Sequence, residues 1–375
     1  MSDASRMTAM AAPWRLAVVG RMGRACRACR ACRRCWVDRV RQVGRLGWLA
    51  ACGALAAALA GCDRTEAPPA GTPGARQAVV IAVTPYAGAA PAFVAHARGY
   101  FEREGLAVTV QQHGSGKEAL DAVLEGRADV ATVAELPVAL AVVKGHPVTI
   151  LATLSTQSDH AIVGRTDRGI WSADALRGKR IGVSAGTSGD FVLDVLLVRE
   201  RLSRADVQVV DRKPRELADA LARGEVDAIA TWEPYVADAR RRLGDRAAVF
   251  PSEGVYDSSF NLASLRGFVL QRGETARRLL AALLQAEELL KHDRAACEPI
   301  VAQALHKSPE EIRELLARSR FSMSLEQHLL VVLEDEGRWA MRHRMVDAGR
   351  APNFLDAVYL DGLAAVKPRA VTIIH

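Results

Sequence analysis

Ser184-Ala185-Gly186-Thr187-Ser188-Gly189-Asp190 gathers three hydroxyls, two glycines and a carboxylate within seven residues. An apolar run precedes it at 180–183 and helical spacing follows at 191–200, so it reads as a loop between a strand and a helix. Free amides at a helix start, with hydroxyls beside them, form a ready anion site. Thr187 and Ser188 are therefore expected ligand contacts, with Asp190 a further candidate. The same spacing suits a helix start in which Thr187 caps and Asp190 completes a capping box, and the two roles are compatible.

Two carboxylates form a second constellation. Glu135 precedes Leu136-Pro137 and Glu233 precedes Pro234, so each either opens a helix, where proline suits the first turn, or faces a ligand. If both face a cleft, they favour a ligand with an amine, an amidine or another donor, because a bare oxyanion would be repelled by two carboxylates in a low-dielectric site. Arg212 and Lys213 are the cations near the matching loops. Tyr86 and Trp232 are expected aromatic walls, suited to flat or quaternary groups; aromatics are only 5% of the chain, which gives weight to two in corresponding loops. Gly88, in the loop 84–91, and Ser115, in the turn Gly114-Ser115-Gly116, complete the expected lining. His96, His113 and His160 have no Cys or acidic partner at ligand spacing, so no metal site is expected.

The elements that would position these groups alternate strand and helix. Apolar runs at 79–83 and 130–133 and an alternating segment at 107–111 are separated by helical spacing at 89–104 and 117–125, and a βαβαβ unit implies a parallel sheet. Ser115 with Glu118 reads as a capping box that fixes the second helix start. About 100 residues later the unit recurs: 180–183 answers 80–83, 207–209 answers 108–110, and 217–232 answers 119–134. Leu-Glu-Gly-Arg-Ala-Asp-Val at 124–130 matches Ala-Arg-Gly-Glu-Val-Asp-Ala at 222–228, pairing Gly126 with Gly224, Asp129 with Asp227 and Glu135 with Glu233. Chance similarity is easy in an alanine-rich chain, but three strands, two helices and one Glu agree in order. Duplication implies two similar lobes, and ligands of open α/β sheets bind beyond the carboxyl ends of the strands. The loops 84–91 and 184–190 should then face one another across a cleft.

Residues 46–60 are a fifteen-residue apolar run after Arg41 and Arg45, closed by Leu59-Ala60-Gly61-Cys62. A basic segment, an apolar segment and small residues before a cut describe an export signal, here similar to the bacterial lipobox, whose cysteine is lipidated. The run is shorter than the roughly twenty residues that span a bilayer. Residues 1–61 hold eleven Arg, no Lys and two Asp, a net of +9 against +7 for the chain, which leaves 62–375 at −2. The basic pI thus belongs to the leader and argues for no nucleic-acid partner. Five of the seven cysteines also lie there; the repeat Cys26, Cys29, Cys32, Cys35 lacks the Cys-Pro ending of iron–sulfur motifs, and residues 1–39 read as an over-extended start, with Val40 or Val43 as the alternative. Cys62 is the expected lipidation site, and Cys297 a buried apolar residue. The expected division is leader 1–61, anchored linker 62–76 rich in Pro and Gly, first lobe 77–168, second lobe 169–258, and a return with C-terminal helices over 259–375.

Gly99-Tyr100-Phe101-Glu102-Arg103-Glu104-Gly105-Leu106, the Gly114-Ser115-Gly116 turn, Leu176-Arg177-Gly178-Lys179-Arg180-Ile181-Gly182-Val183 and Trp232-Glu233-Pro234-Tyr235 together resemble the periplasmic substrate-binding proteins of nitrate, sulfonate and taurine ABC importers. The resemblance covers residues 78–270 and, loosely, the helical tail. It implies the α/β, two-lobed periplasmic-binding-protein fold of type II, each lobe built on a βαβαβ mostly parallel sheet with crossover strands between them. Asn261, where such chains return to the first lobe, is a further candidate contact. A substrate-binding lipoprotein follows as the expected function: a monomer without cofactor, anchored by lipid on the periplasmic face of the inner membrane. It would carry a sulfonate, taurine-like or heterocyclic solute to an ABC permease and its ATPase, and Asp63 resembles the inner-membrane retention signal. Relatives that bind or make the thiamine pyrimidine share the fold, so an enzyme is the rival, as a pyrimidine-synthase relative or as a hydrolase using Glu135 and Glu233 as acid and base. The Cys-rich motif of the synthases is absent from the body. A ligand-sensing lipoprotein is the second rival.

Overall fold

The computed structural model describes residues 76–346 and 351–374; the leader, Cys62 and the linker lie outside the described residues. Among the described residues eleven strands form two sheets. The first has the order β11-β4-β10-β3-β1-β2, from β1 (Gln77–Val83), β2 (Leu106–Gln112), β3 (Val130–Ala134), β4 (Val148–Gln157), β10 (Ser258–Leu265) and β11 (Ser319–Ser324). The second has the order β7-β6-β8-β5-β9, from β5 (His160–Arg165), β6 (Arg180–Val183), β7 (Gln208–Asp211), β8 (Ala228–Trp232) and β9 (Ala247–Pro251). In each, three parallel strands are joined by antiparallel ones. The inner parallel strands β1, β3, β6 and β8 are mostly apolar and buried, as in sheets covered on both faces, whereas the edge strands β2 and β7 are partly exposed.

The duplication is visible in the backbone. Ile81 pairs with Val130 and Ile181 with Ala228, so the two β-α-β-α-β units superpose in register. Helices Gly116–Leu124 and Pro214–Arg223 end alike: Gly126 and Gly224 adopt φ of 73° and 75°, left-handed conformations open to glycine at little cost.

The chain passes between sheets twice. The first passage falls at Ser158-Asp159, between β4 and β5, and the second leads from β9 into β10. β5 therefore belongs to the second sheet, and the lobe boundary lies about ten residues before the expected position near 168. The expected helix over 89–104 is also divided, into Ala90–Ala97 and Tyr100–Arg103, because Gly99 takes a φ of 67° that continues neither.

Beyond β10 the chain is largely helical. Gly273–His292 lays Ala276, Leu279, Leu280, Leu283, Ala286 and Leu290 on the core of the first lobe, at spacings of three and four. Ser308 and Glu311 form a capping box at the start of Pro309–Ala317. Cys297 is buried in the same core, and burial pushes its thiol up to about 11. Among the described residues, no helix is long and apolar enough to cross a membrane.

Candidate functional site

A cavity opens where the two crossovers pass between the sheets. It is lined from both lobes. Thr84 and Tyr86 come from the loop after β1, and Thr187 and Ser188 from the loop after β6. The two loops expected to face each other thus share one chamber. Ser115, Gly116 and Lys117 supply a second helix start, Trp232 the end of β8, and His160, Ser258 and Phe260 the crossovers.

Local sequence explains these placements. Ser115 Oγ accepts from the amide of Glu118 at 3.2 Å, while the Glu118 carboxylate accepts from the amide of Gly114 instead of closing the box on Ser115. Thr187 precedes the helix Ser188–Arg199, yet its Oγ1 donates back to the Ser184 carbonyl at 2.7 Å. Gly189 lets this helix approach Trp232: a Cβ there would lie 3.1 Å from the Ala230 carbonyl oxygen and 3.3 Å from the indole ring. Tyr86 and Phe260 stack edge to face, with centroids 4.8 Å apart. The Tyr86 hydroxyl donates to Asp159 Oδ2 at 2.6 Å; burial and the Asp159 charge hold its pKa well above the usual phenol range, so it remains a donor.

Of the expected site residues, Tyr86, Ser115, Thr187, Ser188 and Trp232 line the cavity; the other five do not. Glu135 is fully buried beside it, accepting from the Tyr256 hydroxyl, the Ser259 amide at 2.9 Å and the Ser259 hydroxyl at 3.0 Å. It anchors the second crossover, and burial raises its pKa despite these bonds. Glu233 accepts from the Ala237 amide and pairs with Arg318, both at 3.0 Å, facing a separate groove with Asp159 and Arg240. Asp190 is spent on the Gly186 amide, at 3.0 Å, and on Arg204. Asn261 is buried in β10, where its Oδ1 accepts from Thr153 at 2.7 Å. Gly88 sits behind the wall, its carbonyl accepting from Ser155 and a would-be Cβ blocked by Tyr86, Gln157 and Phe260.

These corrections reverse the expected electrostatics. Among the described residues no carboxylate lines the cavity; its polar surface is six hydroxyls, Lys117, His160 and the starts of two helices. Such a lining accepts an anionic group instead of repelling it.

His160 is the main residue that sequence reasoning missed. Its Nε2 lies 2.8 Å from Ser188 Oγ and its Nδ1 3.1 Å from Asp159 Oδ1. The signal is its place at the first crossover, which the expected first lobe, 77–168, takes into its interior. Among the described residues, no group of three or more His, Cys, Asp or Glu could hold a metal ion.

A family model described as NMT1/THI5 like matches residues 87–296. The chain is 28% identical over 163 residues to the taurine-binding periplasmic protein of Escherichia coli K12, covering 43% of this chain and 50% of that one. It is 31% identical over 137 residues to the 4-amino-5-hydroxymethyl-2-methylpyrimidine phosphate synthase of Schizosaccharomyces pombe, covering 36% and 39%. The chain spans 64% or less of the length of the first curated relatives it matches. The structure of the alkanesulfonate-binding protein from Xanthomonas axonopodis pv. citri bound to MOPS superposes with a TM-score of 0.67 at 21% identity, covering 75% of this chain and 98% of that one. That likeness establishes the periplasmic-binding-protein fold.

Proposed function

Since the chain belongs to the NMT1/THI5-like family, we propose that it is the substrate-binding component of an ABC importer and that it captures a small organic anion between its lobes. The observation that carries this reading is the composition of the cavity. Tyr86, Trp232 and Phe260 offer faces to an apolar or flat body, while Ser115, Lys117, Thr187 and Ser188 gather at two helix starts. An organosulfonate, or a heterocycle with an anionic substituent, satisfies both ends. The taurine- and alkanesulfonate-binding names of similar proteins agree with this class.

In this reading the lipobox-like sequence at Cys62 anchors the protein to the periplasmic face of the inner membrane, and the loaded, closed form delivers its solute to a permease. Changing Cys62 to Ser should release the protein from the membrane fraction; a variant that still pellets with membranes as an uncleaved chain would remove the anchor from the proposal.

The ligand class is tested by calorimetric titration of the purified protein with alkanesulfonates, taurine, a pyrimidine phosphate and matched amines. Anions should bind, and Lys117→Ala should weaken them by about tenfold, the loss of one charge-assisted hydrogen bond of about 1.5 kcal/mol or more. Saturable binding of amines with no response to any anion would refute it.

A further inference from the structure

Ser188, His160 and Asp159 stand in line at the wall of the cavity. Ser188 Oγ is 2.8 Å from His160 Nε2, and His160 Nδ1 is 3.1 Å from Asp159 Oδ1. The second contact is not a linear hydrogen bond, yet both of its atoms are buried and neither has any other polar partner in the protein. Asp159 is held from its other oxygen by the Tyr86 hydroxyl at 2.6 Å. A carboxylate facing Nδ1 favours the tautomer with its proton there, which leaves Nε2 to accept from the serine hydroxyl. Ser188 and His160 both face the cavity, and Asp159 lies behind them toward a second, polar groove.

The backbone supplies what a reacting carbonyl would need. Ser188 and Gly189 open the twelve-residue helix Ser188–Arg199, so their amides have no intrahelical acceptors and sit at the positive end of its dipole. Gly189 is held close to Trp232 and the Ala230 carbonyl, which fixes this turn. The groups come from three separate segments, the loop after β1, the first crossover and the start of the helix after β6, brought together where the lobes meet.

The geometry points to a second capability beyond solute capture: Ser188 is an activated nucleophile that cleaves esters of small carboxylic acids bound in the cavity. Ser188 Oγ bonds to the acyl carbon as its proton passes to His160 Nε2. The tetrahedral oxyanion collapses, the ester C–O bond breaks, and the alcohol leaves with the proton from His160. Water then attacks the acyl carbon, giving a proton to His160, and Ser188 departs with that proton as the free acid is released. Asp159 orients the imidazole and balances its transient positive charge.

The test uses the full chain with a fluorophosphonate and with p-nitrophenyl acetate, whose flat ring suits the aromatic walls. Mass spectrometry of proteolytic fragments should place the phosphonate on Ser188, and Ser188→Ala should abolish both labelling and hydrolysis. His160→Gln should slow labelling by about 100-fold, the scale of one general base, with the circular dichroism spectrum unchanged. If that variant does not fold, Asp159→Asn, equal in size, carries the same expectation. Absence of a Ser188 adduct in the folded protein, an adduct confined to lysine, or equal labelling of a folded His160→Gln protein would overturn the inference. Calorimetry with alkanesulfonates reads the binding proposal separately, so the two can fail independently.

Discussion

Glu233 and Arg318 form a 3.0 Å ion pair that joins the segment after β8, in the second sheet, to the residue before β11, at the edge of the first. Glu233 is buried whereas the Arg318 side chain is 52% exposed, so the pair is partly screened and contributes about 1 kcal/mol at most. Trp339 adds a second tie of this kind, its indole N–H donating to Asp194 at 2.6 Å. Both reach from the C-terminal region to the second lobe.

Arg318→Ala should therefore raise the ligand dissociation rate by up to about fivefold, the equivalent of that 1 kcal/mol, with little change in association rate. Stopped-flow fluorescence from Trp232 reads both. The effect should shrink as salt is added, because the arginine is exposed.

Glu135 and Glu336 are both fully buried and share the Tyr256 hydroxyl. Burial, then the charge of Glu135, raises the Glu336 pKa well above the usual carboxylate range, and its Oε2 has no partner. A carboxyl raised on folding binds more protons in the folded state, so it favours folding at acid pH and loses that contribution as pH rises from the unfolded value toward the folded one. Glu336→Gln should make the protein more stable at neutral pH by about 1–3 kcal/mol, the cost of a buried unsatisfied group. It should also flatten the fall in stability between acid and neutral pH. Chemical denaturation at several pH values measures this.

Asp129 and Asp227 occupy corresponding places in the two lobes, each accepting from an amide of the lobe's central parallel strand: Val80 in β1 at 2.8 Å and Arg180 in β6 at 3.0 Å. The Arg180 guanidinium also holds Asp227 below the usual carboxylate range. A depressed carboxylate stabilises above its unfolded pKa and loses that contribution as pH falls through the folded value. Asp227→Ala should cost about 1.5–3 kcal/mol at neutral pH, and less in acid, as read by urea denaturation.

Gly189→Ala should disturb the site without unfolding the lobe. The new methyl would press on the Trp232 ring and the Ala230 carbonyl at 3.1–3.3 Å, displacing Trp232 from the cavity wall. Ligand affinity should fall by about tenfold or more, since overpacking costs about 1–3 kcal/mol. Calorimetry paired with a thermal melt separates the two effects.

Sequence alone determined the repeated βαβαβ plan, because strand and helix periodicity and the glycine at each helix end are local features with local causes. It also fixed which loops lie beyond the strand ends, and so Tyr86, Thr187, Ser188 and Trp232. The roles of Glu135 and Glu233 were decided only by the tertiary structure. A carboxylate's partners come from segments distant along the chain, here Tyr256, Ser259 and Arg318, and no local pattern reports them. The same reason hid His160: its contacts with Ser188 and Asp159 exist because β5 crosses into the second sheet. Which sheet a strand joins is settled by long-range pairing, not by its own residues.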